Sequence, residues 1–149
     1  MAVVQDATKL ASGNFGTIMH DGEFLTNVKK VEAKVEVGKQ EVPVAGTRKI
    51  GHKTTSTKGT GSIGMYKVSS KFAIAISQIM DDSAPPFVTE LIYKLDDPEA
   101  DGIDRIRLKG VQFDNIPLAN SEVGSLVEEE LNFTFDDFEY LDAMGVVLK

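Results

Sequence analysis

Apolar and polar residues alternate with a period of two over residues 31–37, which is the pattern of a β-strand with one buried face. The apolar side consists of Val31, Ala33, Val35 and Val37, and the polar side of Glu32, Lys34 and Glu36. Upstream, residues 16–20 form a shorter candidate strand, and the Asp21-Gly22 pair after it is a strong hairpin signal. We therefore expect a hairpin near the N-terminus, followed by a half-buried strand.

Further stretches in the second half of the chain also have strand character. Residues 87–95 are apolar on both faces apart from a few positions, which indicates a central strand. In residues 104–114 the apolar positions change parity at Gly110, where a β-bulge would supply the extra residue. We expect a short edge strand over 118–123. The last strand alternates apolar Leu131, Phe133 and Phe135 with polar Asn132, Thr134 and Asp136.

One helix is predicted, from Lys71 to about Asp81. Phe72, Ile76 and Ile79 follow one another at helical spacing, and a serine at position 69 or 70 is a suitable N-cap. Two consecutive prolines at 85 and 86 end the helix. We expect its apolar side to pack on the last strand or on the apolar face of residues 31–37.

Residues 38–61 interrupt the regular patterns. The segment is rich in Gly, Thr, Ser and Lys and shows neither period, so we predict a long loop without regular structure, with strand character returning over 60–68. Loops of this length within a compact domain are generally functional or disordered. Its glycines are expected to permit backbone geometries that a Cβ would strain; they are Gly46, Gly51, Gly59 and Gly61.

Seven or so strands and one helix in 149 residues predict a single domain, mainly β, built as an antiparallel β-sandwich or small barrel with the helix on one side. The ends, residues 1–15 and 141–149, show no clear period and are expected to be arms. The N-terminus lacks the basic and apolar regions of a secretory signal. No apolar run reaches the ~18 residues of a membrane span.

Charge is unevenly distributed along the chain, whose formal net charge is −7. Residues 38–60 contain five basic residues and one acidic residue, whereas residues 96–149 contain 14 acidic residues and four basic ones. Two interpretations fit this asymmetry. Either both segments are simply solvated, or the basic segment of one copy contacts the acidic surface of another.

The residue constellations of common catalytic and metal sites are missing from the sequence. It contains no cysteine and two histidines; we expect His20 on the surface and His52 as a cationic or hydrogen-bonding loop residue. Residues 59–64 read Gly-x-Gly-x-x-Gly, but a dinucleotide fingerprint needs a strand before it and a helix after it. The basic segment has no aromatic residue, which argues against nucleic-acid binding. We predict no enzyme, no cofactor and no metal site.

Short motifs spread over most of the chain resemble the tail tube proteins of contractile-tailed phages, in particular those of PBSX-type defective prophages and R-type bacteriocins. They extend from about Ala11 to Phe138, and the match rests on their combination. The motifs are Ser12-Gly13, Asp21-Gly22-Glu23, Gly51-His52-Lys53-Thr54-Thr55, Gly59-Thr60-Gly61, Tyr66-Lys67-Val68-Ser69-Ser70-Lys71-Phe72, Arg105-Ile106-Arg107-Leu108, Val111-Gln112-Phe113-Asp114 and Glu128-Glu129-Glu130-Leu131-Asn132-Phe133-Thr134-Phe135-Asp136-Asp137-Phe138.

The resemblance implies two packed antiparallel sheets with a flanking helix, and rings of six subunits whose sheets join into a β-barrel around a lumen. It implies a particle, virion or bacteriocin, assembled in the bacterial cytoplasm. Its implied partners are further copies of the chain, the sheath, baseplate and tape-measure proteins, and DNA as passing cargo, without stable membrane association. The resemblance also implies that residues 38–61 are a loop that contacts another subunit. Its expected contact residues are Arg48, Lys49, Gly51, His52, Lys53, Thr54, Thr55, Lys58, Gly59 and Gly61.

A tube that passes DNA should not hold it, because each phosphate contact with Lys or Arg adds affinity. We therefore expect a polar bore of neutral or negative charge with few aromatic residues. At least one of two polar strand faces is expected to line it, and the alternative is that both face outward. The residues concerned are Glu32, Lys34, Glu36, Asn132, Thr134 and Asp136.

Two other classes of function compete with a tube subunit. One is a monomeric β-sandwich binding module that engages an acidic ligand through residues 38–61. The other is an enzyme that uses an unrecognised pair of carboxylates. Concentration-dependent size separates a binding module from a self-assembling subunit. Neighbouring genes separate a genome-delivering phage tube from a bacteriocin tube.

Overall fold

In the computed structural model, which describes residues 7–146 except positions 26 and 101, eight strands form one antiparallel sheet. They are β1 (Gly16–His20), β2 (Glu23–Phe24), β3 (Val28–Pro43), β4 (Ile50–Tyr66), β5 (Val88–Leu95), β6 (Asp104–Phe113), β7 (Glu128–Phe135) and β8 (Asp137–Asp142). Their order is β2-β1-β5-β6-β7-β4-β3, and β8 pairs with the first half of β6. One helix, α1 (Lys71–Ile76), continues as a 3-10 turn over Ser77–Met80. The predicted mainly β fold with one helix is confirmed.

The hydrophobic core lies on one face of this sheet. β7 supplies Leu131, Phe133 and Phe135 at alternate positions, and all three are buried. α1 covers the same face, with Ile76 buried and the ring of Phe72 packed against the core. Ile76 thus belongs to the same buried cluster as the three β7 residues, and the Phe72 ring centroid lies 5.6 Å from that of Phe113 on β6. Ile79 was expected in the core as well, but it is 48% exposed because the α-helix ends before it.

The bulge predicted at Gly110 of β6 is confirmed. Gly110 has φ +67°, a conformation that glycine adopts without strain. Thr89 pairs with Val111 and Leu91 with Leu108, so one residue of β5 lies opposite two of β6. Because of the extra residue, Leu108 and Val111 both point into the core. Along its other edge β6 pairs with β8 before the bulge and with β7 after it.

The prediction of an unstructured loop over residues 38–61 is wrong. β3 and β4 form one long antiparallel hairpin with its turn at residues 44–49. β7 pairs with β4 from Gly59 onward. Residues 37–57 are therefore a largely exposed two-stranded ribbon, which we call the arm. Since neither face of the arm is buried in the subunit, no apolar alternation marks it. Its strand signal is a set of scattered β-branched residues, among them the threonines at 54, 55 and 57.

Burial of the apolar face of β3 decreases along the strand. Val31 packs against the core, whereas Val35 and Val37 are 37% and 52% exposed. The cause is that β7 ends at Phe135, which pairs with Gly59, so the core does not extend under the arm. The predicted alternation is correct, but of the four apolar residues predicted on the buried face Val31 alone packs against the core, and Ala33 is exposed as well.

His20 is buried and not on the surface as expected. Its Nε2 lies 2.9 Å from the Thr89 hydroxyl, and its ring makes an edge contact with Phe72 at 5.0 Å between centroids. His20 pairs with Leu91 in the sheet, and both side chains lie on the core face. The histidine is therefore a core residue with a hydrogen-bond partner on the neighbouring strand.

The two chain ends and one edge also differ from the predictions. Residues 118–123 form no strand; instead the Asn115 side chain bonds Glu130 and Asn132 along the free edge of β7. β8 follows β7 after one residue and was not predicted. Residues 141 and 142 of the expected C-terminal arm belong to β8, and 147–149 lie outside the described residues. Within residues 1–15, Ala7–Lys9 and Gly13–Phe15 are 3-10 turns, and residues 1–6 lie outside the described residues.

Candidate assembly surfaces

The face of the sheet opposite the core is polar along β3, β4 and β7. Glu32 lies beside Ser62, which pairs with Asn132, and Lys34 lies beside Thr60. Thr60 in turn pairs with Thr134. Glu36 joins the same face through an ion pair of 3.6 Å with Lys34. The structure thus brings five of the six predicted lumen residues together, and the sixth, Asp136, lies just beyond β7 against Gly110.

The structure adds four charged residues and one aromatic residue to this polar face. Lys30 and Glu130 lie on either side of Gly64, Lys58 pairs with Glu36 across the hairpin, and Glu128 pairs with Tyr66 at the end of the face. Along β3, β4 and β7 the face then carries three lysines, four glutamates and a single described aromatic residue, Tyr66. The polar face is close to neutral, whereas the six predicted residues alone carry a net charge of −2.

The basic residues predicted to act together in the 38–61 segment are spread along the arm. Arg48 and Lys49 lie in the turn at its tip, where Gly46 has φ +82°. Lys53 lies part of the way down, and Lys58 belongs to the polar face at its base. Among the described residues, no ion pair involves any of these four side chains. The tip is thus a basic, solvent-exposed end of the subunit.

The remaining predicted contact residues occupy different positions on the hairpin. His52 pairs with Glu41, on the face of the ribbon opposite Lys53. Thr55 lies at an irregularity of the pairing, and its hydroxyl bonds the Gly38 carbonyl at 3.3 Å. Thr54 pairs with Lys39 beside it. These side chains are exposed and could contact a second copy.

Gly59 and Gly61 are needed for packing, not for unusual backbone angles. A Cβ on Gly61 would overlap the Phe133 ring and lie 2.5 Å from the Glu32 carbonyl oxygen. A Cβ on Gly59 would lie 2.5 Å from the Phe135 ring. Gly51, in contrast, has room for a methyl group. The predicted strain from a Cβ therefore holds at Gly46, whose φ is +82°, applies at Gly59 and Gly61 for a different reason, and does not apply at Gly51.

Three strands of the sheet have an outer edge that no described strand pairs with: the two-residue β2 and the longer β3 and β8. β3 pairs with β4 and with no other described strand over its 16 residues. β8 pairs with β6, and its other edge is likewise free of described strands. On β8, Phe138 and Tyr140 are partly exposed and contact each other at 6.1 Å between ring centroids. Neither β8 nor its aromatic pair was predicted from the sequence.

The described part of the chain contains no cluster of three potential metal ligands. No helix among these residues is long and apolar enough to cross a bilayer.

Comparison with known proteins connects these surfaces to a family. Residues 4–142 match the family model described as "Phage tail tube protein". The PBSX phage-like element protein XkdM of Bacillus subtilis (strain 168) is 38% identical over 134 residues, which cover 89% of this chain and 91% of XkdM.

Two solved structures share the fold at low sequence identity. One is the tube-terminating cap of the anti-feeding prophage, with TM-score 0.67, 8% identity and 96% of each chain covered. The other comes from the sheath–tube complex of the PVC extracellular contractile injection system, with TM-score 0.67, 6% identity and 92% and 95% coverage. The family match over nearly the whole chain marks a structural component of a particle and not an enzyme, and the chain belongs to the phage tail tube protein family.

Proposed function

We propose that this chain is the ring-forming subunit of the inner tube of a contractile phage tail or R-type bacteriocin. Six copies form a ring, and rings stack into a conduit for DNA or ions. Membership of the tail tube family and the fold shared with a contractile sheath–tube complex support this proposal. The sheath, baseplate and tape-measure proteins are its partners in the particle, which is assembled in the bacterial cytoplasm.

The observation that carries the proposal is the open edge of β3. A 16-residue edge strand with partly exposed valines is an aggregation hazard in a monomer, and natural proteins protect such edges. Pairing with the next copy satisfies the free backbone groups and removes the edge. β8 offers a second open edge, and its exposed Phe138 and Tyr140 supply apolar area for such a contact. A closed ring leaves neither edge exposed.

The polar face supports a role as the wall of the bore. Its three lysines face four glutamates, so it offers no net positive charge to phosphate groups. Its one described aromatic residue, Tyr66, lies at the end of the face with the Lys29 ammonium 5.4 Å from its ring centroid, so the face offers bases little surface for stacking. α1 covers the opposite side of the sheet, so this orientation turns the helix toward the outside of the tube.

Electron microscopy of particles purified from producing cells tests the proposal, together with mass spectrometry of the tube band. Tubes that contain this chain as their main protein are expected. Tubes that lack it would refute the proposal. The competing monomeric binding module predicts that the purified chain keeps the mass of a monomer in sedimentation at all concentrations and never appears in tubes.

A further inference from the structure

We propose that a groove at the start of β7 receives the arm tip of another copy of this chain. This inference rests on the proposed tube function and specifies the contact between successive rings. From the sequence, the basic segment was expected to contact an acidic surface of another copy, but the position of that surface was unknown. We place it in the groove at the start of β7.

The groove consists of two adjoining depressions of about 290 and 420 Å³ that share Asn120 and Glu128. It runs over the ends of β3, β4 and β7 and along the irregular segment that precedes β7. Its lining residues beyond the shared pair are Lys29, Lys30, Gly64, Tyr66, Glu122, Ser125, Leu126, Glu129 and Glu130. Both depressions are open to solvent, so a protruding segment of another molecule can enter them.

The groove combines net negative charge with exposed apolar groups. Its lining includes four glutamates and two lysines. Lys29 is held by Glu128 at 2.6 Å, and that hydrogen bond raises the pKa of Lys29. Glu122 and Glu130 form no ion pair with any described residue. Leu126 is 77% exposed and Tyr66 is exposed beside it. A basic segment with apolar side chains fits this surface.

The arm tip has the complementary composition. Arg48 and Lys49 supply two positive charges without an acidic partner in the described part of the subunit. Val44 and Ile50 flank the turn and are 48% and 49% exposed. In the isolated subunit both the tip and the groove thus leave charges and apolar area unsatisfied, and a contact between two copies covers both.

Within one copy the tip and the groove lie at opposite ends of β4. Ile50 adjoins the tip, whereas Tyr66 pairs with Glu128 in the groove. Sixteen steps along a strand span about 50 Å at the usual rise per residue, so a tip cannot reach the groove of its own subunit. The contact must therefore join two copies, and in a stack of rings these copies lie head to tail. Such a contact repeats without limit along the strand direction, which is how a filament or a stacked tube grows.

A disulfide cross-link between copies tests this contact, and the chain offers a clean background because it contains no cysteine. The variant Thr47→Cys/Ser125→Cys places one thiol on the tip and one in the groove. The control Thr47→Cys/Asp82→Cys moves the second thiol to the exposed turn after α1. Both are oxidised in assembled tubes and separated on a denaturing gel without reductant.

We expect a ladder of covalent multimers from the tip–groove variant and no ladder from the control. Dimers without higher multimers would contradict the head-to-tail geometry and indicate two copies exchanging arms. Intact tubes without a cross-link would overturn the tip–groove contact while leaving the tube proposal standing. Failure of the unsubstituted chain to appear in any tube would refute the proposed function itself.

Charge exchange provides an independent readout. The variants Arg48→Glu/Lys49→Glu and Glu122→Lys/Glu130→Lys are each expected to stay folded but to lose assembly. Because the reversed tip matches the reversed groove, a mixture of the two should assemble again. If each variant assembles alone as well as the unsubstituted chain does, the contact is refuted.

Discussion

At the scale of single residues, Gly59 and Gly61 of β4 leave no room for a Cβ, as expected, but the cause is close packing and not an unusual backbone geometry. The sequence indicated that Gly59 and Gly61 could not carry a Cβ. The structure attributes this to Phe135 and Phe133, whose rings lie over the two glycines from the neighbouring strand. The pairing of a glycine with a phenylalanine across strands depends on register, which one sequence does not specify.

Gly61→Ala is expected to destabilise the subunit by about 1–3 kcal/mol, because the added methyl group displaces the Phe133 ring or the Glu32 carbonyl. Gly51→Ala serves as the matched control, since that position on the same strand has room for a Cβ. Thermal melts of both variants measure the difference. Equal midpoints for the two variants would contradict the packing described for Gly61.

Phe133→Ala is expected to cost about 3–5 kcal/mol, since the side chain is fully buried between Phe113 and Phe135. Ile74→Ala, on the exposed side of α1, should change stability little. Urea unfolding of the two variants distinguishes them. An unchanged midpoint for Phe133→Ala would show that the core face of β7 is assigned wrongly.

At the scale of elements, the sequence predicted the strands that have one buried face in the subunit. β7 and the bulge of β6 follow directly from their apolar positions, as does the contact of Phe72 and Ile76 with the core. The arm could not be recognised, because a ribbon exposed on both faces has no period of burial. β8 was missed since its partly exposed side chains alternate without a fully buried position.

The arm should contribute to assembly more than to folding. Lys53→Glu/Lys58→Glu is expected to leave the melting temperature nearly unchanged, because both side chains are exposed and lack ion pairs with described residues. Tube formation should be impaired, since the change repeats in every copy. Circular dichroism checks the fold and negative-stain microscopy counts the tubes. Normal tubes from this variant would mean that the charges of Lys53 on the arm and of Lys58 at its base are incidental to assembly.

At the scale of the whole molecule, the sequence predicted two faces of a sheet but not their direction in an assembly. Alternation separates Glu32 from Val31, yet it does not state which side faces a bore. It also could not identify the two lysines and two glutamates that strand pairing adds to the polar face. That balance of charge depends on long-range pairing of β3, β4 and β7.

Added positive charge on the polar face should make tubes hold DNA. Asn132→Lys/Thr134→Lys places two further lysines per subunit on that face, and we expect tubes of this variant to retain short labelled DNA, less so as salt rises. Asp82→Lys/Ser83→Lys adds basic residues on the helix side as a control. Equal retention by both variants would show that DNA does not contact the polar face selectively.

A cryo-electron microscopy structure of the tube from purified particles tests the proposed function most directly. We predict rings of six copies, with Glu32, Lys34, Asn132 and Thr134 pointing toward the axis and the open edge of β3 paired with a strand of the next subunit. A bore lined mainly by lysine and arginine, or a polar face turned away from the axis, would contradict the proposal.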